Sequence, residues 1–293
     1  MPCEFARKPR KLDEVNRWKA TEFRTFLLYI GTVVTKPVLT DEHWKHFFGF
    51  SIAMFILLSP DKSKFIHIAR KLLDNFVKNF EIIYGPHLIS HNIHGVTHIC
   101  DDYEKFGPLD NCSAFPFENY MGSLKRMLRK PHKPLQQIVK RYSEICCLKS
   151  TVGTQKKTSY QFGGPHKRGP TIEIGLNDFD GDQFTSIVLE SMKIKINVDA
   201  DSYLLTKDDN ILKVFNIIHY KNKNEVILIC KQFKNKYVMF NSPIKSSKLD
   251  MYVVDKLCNN YVCCCIFNIK KKVIILQNKD NLIAFPIIHS TRT

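Results

Sequence analysis

The change in hydrophobic pattern near residue 150 is the feature that most constrains how this chain folds. Before it, apolar residues recur every three or four positions, as they do from Ser63 to Tyr84, and this spacing predicts helices. Beyond it, Val, Ile, Tyr and Phe dominate short runs that are separated by turn residues, and such runs predict strands. The sequence therefore predicts an α+β protein, with a mainly helical N-terminal half followed by a small antiparallel β-barrel-like domain.

Three segments follow from this pattern. Residues 1–148 form the predicted helical region, 149–182 a basic linker and 183–293 a small all-β domain. The linker is placed by a Thr-, Gln- and Lys-rich stretch and by the Gly- and Pro-rich residues 163–170, which favour turns. Capping residues and prolines predict where the helices begin, at Asp13, Thr40, Ser63, Pro86, Pro116 and Pro134. The strand runs are 193–198, 210–218, 226–233, 236–240, 261–267, 273–276 and 283–287.

The chain carries a large positive charge. Its formal net charge is +16 over 293 residues, and each half contributes +8, so the excess does not belong to a single tail. A polyanionic partner is the natural inference, with nucleic acid first and an anionic membrane second, although charge can also serve solubility alone. The longest apolar run, 47–58, is too short to span a bilayer, so we expect no membrane partner.

The ten cysteines do not predict a disulfide framework. The first residues are rich in Lys, Arg and acids and lack an apolar signal segment, so we expect the thiols to be reduced. No Cys-x-x-Cys pair is present, and the runs 146–147 and 263–265 lack the spacing of a zinc site. The expected location is the nucleus, or the cytoplasm with nuclear import.

One acidic residue stands at the start of a strongly basic stretch. Glu118 falls in the first turn of a predicted helix, and the segment 119–143 contains no Asp or Glu. Its cations are candidate contacts to a phosphate backbone, with a nuclear-import signal as the competing use. They are Lys125, Arg126, Arg129, Lys130, Lys133, Lys140 and Arg141. Glu118 is a candidate metal-binding acid, or else a residue that merely favours the helix N-terminus.

A row of histidines precedes this stretch. Four histidines between 87 and 98 recur at helical spacing, and Asp102 continues the same predicted face. Two His residues at positions i and i+4 with a carboxylate one turn further can bind a divalent metal, so His94, His98 and Asp102 form a candidate site. The alternative is a polar helix face without a metal.

Several blocks resemble the C-terminal portion of animal transposases of the En/Spm (CACTA) type. They are FARKPR at 5–10, WKATEFR at 18–24, DNCSAFPFE at 110–118 and Leu124-Lys125, and they span roughly residues 3–148. The segment 201–289 also looks like the β-rich tail of such proteins, best at SPIKSSKL, residues 242–249.

This resemblance implies a ribonuclease H-like core with an Asp-Asp-Glu site that binds Mg or Mn in the intact parent enzyme. By the resemblance, Glu118 is the last of the three acids, and the helices from Asp13 to Tyr84 belong to a helical insertion. The strands expected to carry the two earlier Asp residues are not in this chain. We therefore expect a catalytically inactive fragment with no cofactor of its own.

Besides a metal-binding structural module that uses His94, His98 and Asp102, two hypotheses of function follow. The first is a transposase-derived fragment, ancestrally a DNA cleavage and strand-transfer enzyme. The second is a non-enzymatic, basic nucleic-acid-binding protein whose β domain is a module for an unidentified protein partner. DNA is the expected partner in both.

Overall fold

The computed structural model describes residues 1–151, 160–171, 181–189, 192–220, 225–278 and 281–288, with side chains throughout except at 148–151. It confirms the α+β class, since the first half is helical and the second half contains an antiparallel sheet. Contacts divide the chain into two compact units. Met1–Cys100 and Tyr160–Thr293 form what we call the sheet unit, and Asp101–Ser159 form the helix-pair unit. Parts of the predicted linker, 152–159 and 172–180, lie outside the described residues.

The helices of the sheet unit begin and end largely where local signals place them. The Thr40 hydroxyl caps the long helix α3 by accepting a hydrogen bond from the amide of His43, and Gly85, with φ +95°, ends α4. The bounds are α1 Ala20–Thr25, α2 Gly31–Val34, α3 Asp41–Leu58, α4 Ile66–Tyr84 and α5 His91–Gly95, with α6 Ile99–Phe106 at the boundary between the units.

The first predicted helix differs from the observed one. A 3₁₀ turn, α1, a π turn at Phe26–Ile30 and α2 follow in succession, and the helical path continues through Gly31. A Cβ at Gly31 would lie 2.7 Å from the ring of Phe47 and 2.9 Å from that of Phe26. The glycine therefore permits close packing of two helices here instead of ending one.

Eleven strands are described in the sheet unit, and their ten pairings are all antiparallel. They are β1 Gln161–His166, β2 Asp182–Val188, β3 Lys193–Lys195, β4 Tyr203–Thr206, β5 Ile211–Tyr220, β6 Glu225–Phe233, β7 Lys236–Val238, β8 Tyr252–Val254, β9 Leu257–Cys265, β10 Ile269–Asn278 and β11 Asn281–Pro286.

The predicted barrel-like closure is not supported by these pairings. The sheet runs in the order β1-β2-β5-β4-β10-β11-β8-β7. Two strands branch from this path, because β6 pairs with β5 and β9 pairs with β6. A further strand, β3, pairs with β2. Branching arises because long strands pair with different neighbours along their length, as when β10 pairs first with β4 and then with β11. Among the described strands the sheet is therefore open.

The N-terminal helices share a core with the sheet. Tyr29 is fully buried, its ring meets those of Phe5 and Phe285 at centroid distances of 5.2 and 6.4 Å, and its hydroxyl accepts a hydrogen bond from the amide of Ile288. Burial of a large aromatic ring is a main source of stability. Residues more than 250 positions apart in sequence thus hold one unit together.

The helix-pair unit contains α7, Phe115–Met127, and α8, Pro134–Thr151, which pack side by side. Burial and a hydrogen bond with Tyr142 of α8 raise the pKa of Tyr120 of α7. Among the described residues, none of the helices combines the length and the apolar character that crossing a bilayer requires.

Candidate functional site

The turn between α7 and α8 forms an open cationic pocket of about 400 Å³. The pocket belongs wholly to the helix-pair unit, and no acidic side chain lines it. Its lining residues are Arg129, Lys130, His132, Lys133, Gln136, Gln137 and Lys140. The wall of the pocket is mostly carbon, supplied by the stems of these side chains, and their cationic groups create a local positive potential that attracts anions.

Gln137 holds this turn in place. Its Oε1 accepts hydrogen bonds from the amides of Arg129 (3.0 Å) and Lys130 (3.3 Å), and its Nε2 donates to the carbonyls of Lys130 (2.9 Å) and His132 (2.6 Å). A single side chain thus uses both ends of its amide to fix the backbone that carries the cations.

The start of α8 adds to the positive character of the pocket. The backbone of Lys133 is left-handed, with φ +54°, a conformation that residues other than Gly and Asn adopt at an energetic cost. Helix α8 begins at the next residue. The first turn of α8 contains no acidic residue that would offset the positive end of the helix dipole. The turn therefore places lysine and arginine side chains beside a helix N-terminus.

Four of the seven predicted nucleic-acid-binding residues line the pocket: Arg129, Lys130, Lys133 and Lys140. Lys125 and Arg126 are exposed on α7, and Arg141 is half-buried on α8, away from the pocket lining. Within the described part of the chain, none of the seven forms an ion pair with an acid. Sequence reasoning missed Gln137, because its role depends on the turn geometry and has no local signal.

Glu118 lies exposed in the first turn of α7, as its sequence position predicts. The carboxylate therefore stands at the opposite end of α7 from the cationic pocket. Its role as a metal-binding acid stays a prediction.

The predicted metal-binding residues fall in both units. His94 in α5 and His98 in the adjoining 3₁₀ turn are exposed, and their rings lie 5.3 Å apart between centroids in an edge-to-face arrangement. Asp102 lies on α6 and belongs to the helix-pair unit. The proposed metal role of this set also stays a prediction.

A different set of metal-type ligands lies close together in the sheet unit. Among the described residues, one group of three could supply ligands within 4.8 Å of one another: Cys3, Glu4 and Asp201. The ammonium group of Lys272 already occupies this position, since its Nζ lies 2.8 Å from Glu4, 2.6 Å from Asp201 and 2.6 Å from the carbonyl of Lys193. The lysine supplies the charge that a metal ion would otherwise provide, and we read the group as structural.

A second ion network surrounds the buried side chain of Asp250. Its carboxylate is 2.7 Å from Lys62, which lies between α3 and α4, and it is 2.7 Å from Lys270 and 3.4 Å from Lys271, both of β10. Asp61 binds Lys271 at 2.7 Å and thereby adds a second link between the helices and the sheet. Both ion networks join N-terminal residues to strands nearly 200 positions or more away in sequence.

The β-rich part of the chain matches a known family model. Residues 165–287 match the model described as Domain of unknown function (DUF8592). We call this stretch the DUF8592 segment. No curated protein and no solved structure matches the chain. The DUF8592 segment contains β2 to β11 and most of both ion networks, whereas the cationic pocket lies outside it.

Proposed function

We propose that this chain binds nucleic acid by holding a phosphate backbone against the pocket between α7 and α8. The observation that carries the proposal is the convergence of Arg129, Lys130, Lys133 and Lys140 on one pocket without an acid among its lining residues. Phosphate contacts of this kind are independent of sequence and supply most of the affinity of basic proteins for DNA.

We further propose that the chain is derived from a DNA transposase and has no strand-transfer activity of its own. The support is the resemblance described above together with the placement of Glu118 on α7. A rise of 1.5 Å per residue puts Glu118 roughly 14 Å from the end of α7 that leads into the pocket. That distance is about four base steps of B-DNA, so both ends of α7 can face one duplex.

Neutralising the pocket is expected to weaken DNA binding strongly. The test variant combines Arg129→Gln, Lys130→Gln, Lys133→Asn and Lys140→Gln, with Asn chosen at 133 because it tolerates positive φ. At low salt we expect at least about 100-fold weaker binding to duplex DNA. The slope of log affinity against log salt should fall by up to about 3.6, because each phosphate contact contributes about 0.9. Fluorescence anisotropy over a salt series measures both quantities.

The matched control removes four exposed lysines from the sheet unit: Lys8, Lys11, Lys234 and Lys256, each replaced by Gln. It changes the net charge by the same amount, so it should weaken binding far less if the pocket is the contact. Equal losses in the two variants would mean that the overall charge of the chain, and not the pocket, attracts DNA.

Gln137→Met tests whether turn geometry matters apart from charge. The variant keeps every cation but loses four hydrogen bonds to the turn, so we expect about tenfold weaker binding with an unchanged salt slope. Gln136→Met is the control, because Gln136 lines the same pocket without bracing the turn. Full affinity in the Gln137 variant would show that the cations act without a fixed arrangement.

A further inference from the structure

The sheet unit presents four aromatic and cationic side chains on one face, outside the helix-pair unit. Lys213 of β5 is directly opposite Lys231 of β6, which is directly opposite Tyr261 of β9. Residues opposite one another in antiparallel strands project from the same face of the sheet. Together with Phe215, these residues form what we call the aromatic platform.

Phe215 reaches this face through an irregularity in β5. The pairing register with β6 shifts between Val214 and Asn216, so Phe215 is the extra residue of a β-bulge. On the opposite face, Val214 and Cys230 belong to a hydrophobic core of the sheet. The platform lies opposite this core, on a face that also carries Tyr203 and Ile211 of a second hydrophobic core.

The platform rings lie at contact distance from one another and from the lysines. Phe215 and Tyr261 meet edge to face with centroids 5.6 Å apart. The Nζ of Lys231 lies 4.6 Å from the Tyr261 ring and 5.5 Å from the Phe215 ring, and that of Lys213 lies 5.6 Å from the Phe215 ring. Tyr261 is 38% exposed, so a ligand can reach it.

The platform carries a net positive charge. Lys213 is paired with Asp199, and the hydroxyl of Tyr203 also donates to that carboxylate. Lys231 has no acidic partner within the described part of the chain, and its ammonium is held by the two rings alone. A cation over an exposed aromatic ring is held only weakly, so a phosphate can draw it away and leave the ring face free.

We propose that the aromatic platform binds single-stranded nucleic acid by stacking an unpaired base on Phe215 or Tyr261 while Lys231 and Lys213 contact the flanking phosphates. Aromatic rings beside lysines on a sheet surface match both chemical parts of a nucleotide, the flat base and the anionic phosphate. Bases within a duplex are already stacked on their neighbours, which is why the expected ligand is single-stranded. The inference rests on the sheet unit and does not require the cationic pocket.

The test compares two fluorescent oligonucleotides of about 12 residues, a length within the range of one such binding surface. One is oligo-dT, and the other is abasic, with the same number of phosphates and no bases. We expect the full chain to bind oligo-dT at least about fivefold more tightly than the abasic strand, because stacking contributes to the first ligand alone.

The platform variant Phe215→Leu/Tyr261→Leu keeps apolar bulk but removes both aromatic faces. It should lose the preference for oligo-dT and bind the abasic strand as the parent chain does. Phe215→Tyr/Tyr261→Phe should keep the preference, and so should Tyr237→Ala, which removes a 55% exposed tyrosine of the same unit away from the platform. Circular dichroism and thermal melting check that each variant is folded.

Two results would overturn the proposal: equal affinity of the parent chain for the two oligonucleotides, or a full preference for oligo-dT in the leucine variant. The pocket variant separates this inference from the proposed function. It should bind both oligonucleotides more weakly in the same proportion and keep the preference between them. Loss of affinity without loss of preference would support two independent contacts, and loss of the preference there would refute a separate platform.

Discussion

Lys272→Met is expected to lower the free energy of unfolding by about 3–5 kcal/mol, the usual cost of removing one partner from a buried ion pair. The side chains of Lys272, Glu4 and Asp201 are each at most 2% exposed. Without the ammonium, two carboxylates stay buried with amide donors from Cys3 and Lys193, and the partly exposed Lys195, 3.8 Å from Asp201, replaces a buried counter-charge only weakly. Urea unfolding at pH 7, followed by circular dichroism, measures the change.

Two controls separate charge from packing in this experiment. Lys195→Met removes a lysine that is 32% exposed and 3.8 Å from Asp201, so its effect should stay below about 1 kcal/mol. The triple variant Glu4→Gln/Asp201→Asn/Lys272→Met removes all three charges and should recover most of the lost stability. A Lys272→Met variant as stable as the parent chain would show that Lys272 does not pair with Glu4 and Asp201 in solution.

The sequence predicted the helices best where their signals are local. Thr40 caps α3 as expected, and α4 follows its apolar spacing to the glycine that ends it. The prediction that Gly31 ends a helix was wrong. Its small size instead allows Phe47 of the neighbouring helix to pack closely against it. A glycine's sequence context does not reveal which of these two roles it has.

The strands were harder to predict where their residues are buried on both faces or include glycines, because the usual alternation of apolar and polar residues is then absent. β4 is buried at every position, so it has no alternation of apolar and polar residues, and the sequence analysis did not predict it. β1 contains Gly163 and Gly164, which favour turns, yet both lie against side chains of β2. A Cβ at Gly163 would come within 2.7 Å of Ser186, and one at Gly164 within 2.0 Å of Thr185. Pairing with β2 therefore explains these glycines.

The candidate sites show the same limit. The charge pattern alone identified the four Lys and Arg residues that line the pocket, because they are close in sequence. Lys213 and Phe215 are also neighbours in sequence, but Lys231 and Tyr261 join them only through the register of three strands. Contacts that depend on strand register cannot be read from one sequence.

Both ion networks have a consequence for how the chain can be divided. The DUF8592 segment contains Lys272, Lys271 and Asp250. Their respective partners, Glu4, Asp61 and Lys62, lie among the first hundred residues. Expression of the DUF8592 segment alone would expose the apolar surface that packs on Tyr29 and leave Lys272 without Glu4. The first hundred residues are therefore part of the folding unit that contains this family match.

Acid should destabilise this unit, in part through Asp250. Burial raises the pKa of the Asp250 carboxyl, but hydrogen bonds from Lys270 and Lys62 and the charges of Lys62 and Lys271 outweigh this, so the pKa lies below its ordinary value. A carboxyl whose pKa is lower in the folded chain than in the unfolded chain contributes stability above the unfolded pKa. That stability is lost as the pH falls through the folded pKa, so the loss begins near pH 5 and continues below pH 4.

Asp250→Asn isolates this contribution. Asn tolerates the left-handed backbone at 250, where φ is +62°, so the main change is loss of a buried charge between three lysines. At pH 7 the variant should be about 3–5 kcal/mol less stable than the parent chain, and the difference should shrink as the pH falls below 4, where the parent carboxyl protonates. Asp41→Asn, which removes one partner of an exposed pair with Lys45, should change stability by less than about 1 kcal/mol over the same range. A difference for Asp250→Asn that stays constant from pH 7 to pH 2 would show that its carboxylate does not hold the helices to the sheet.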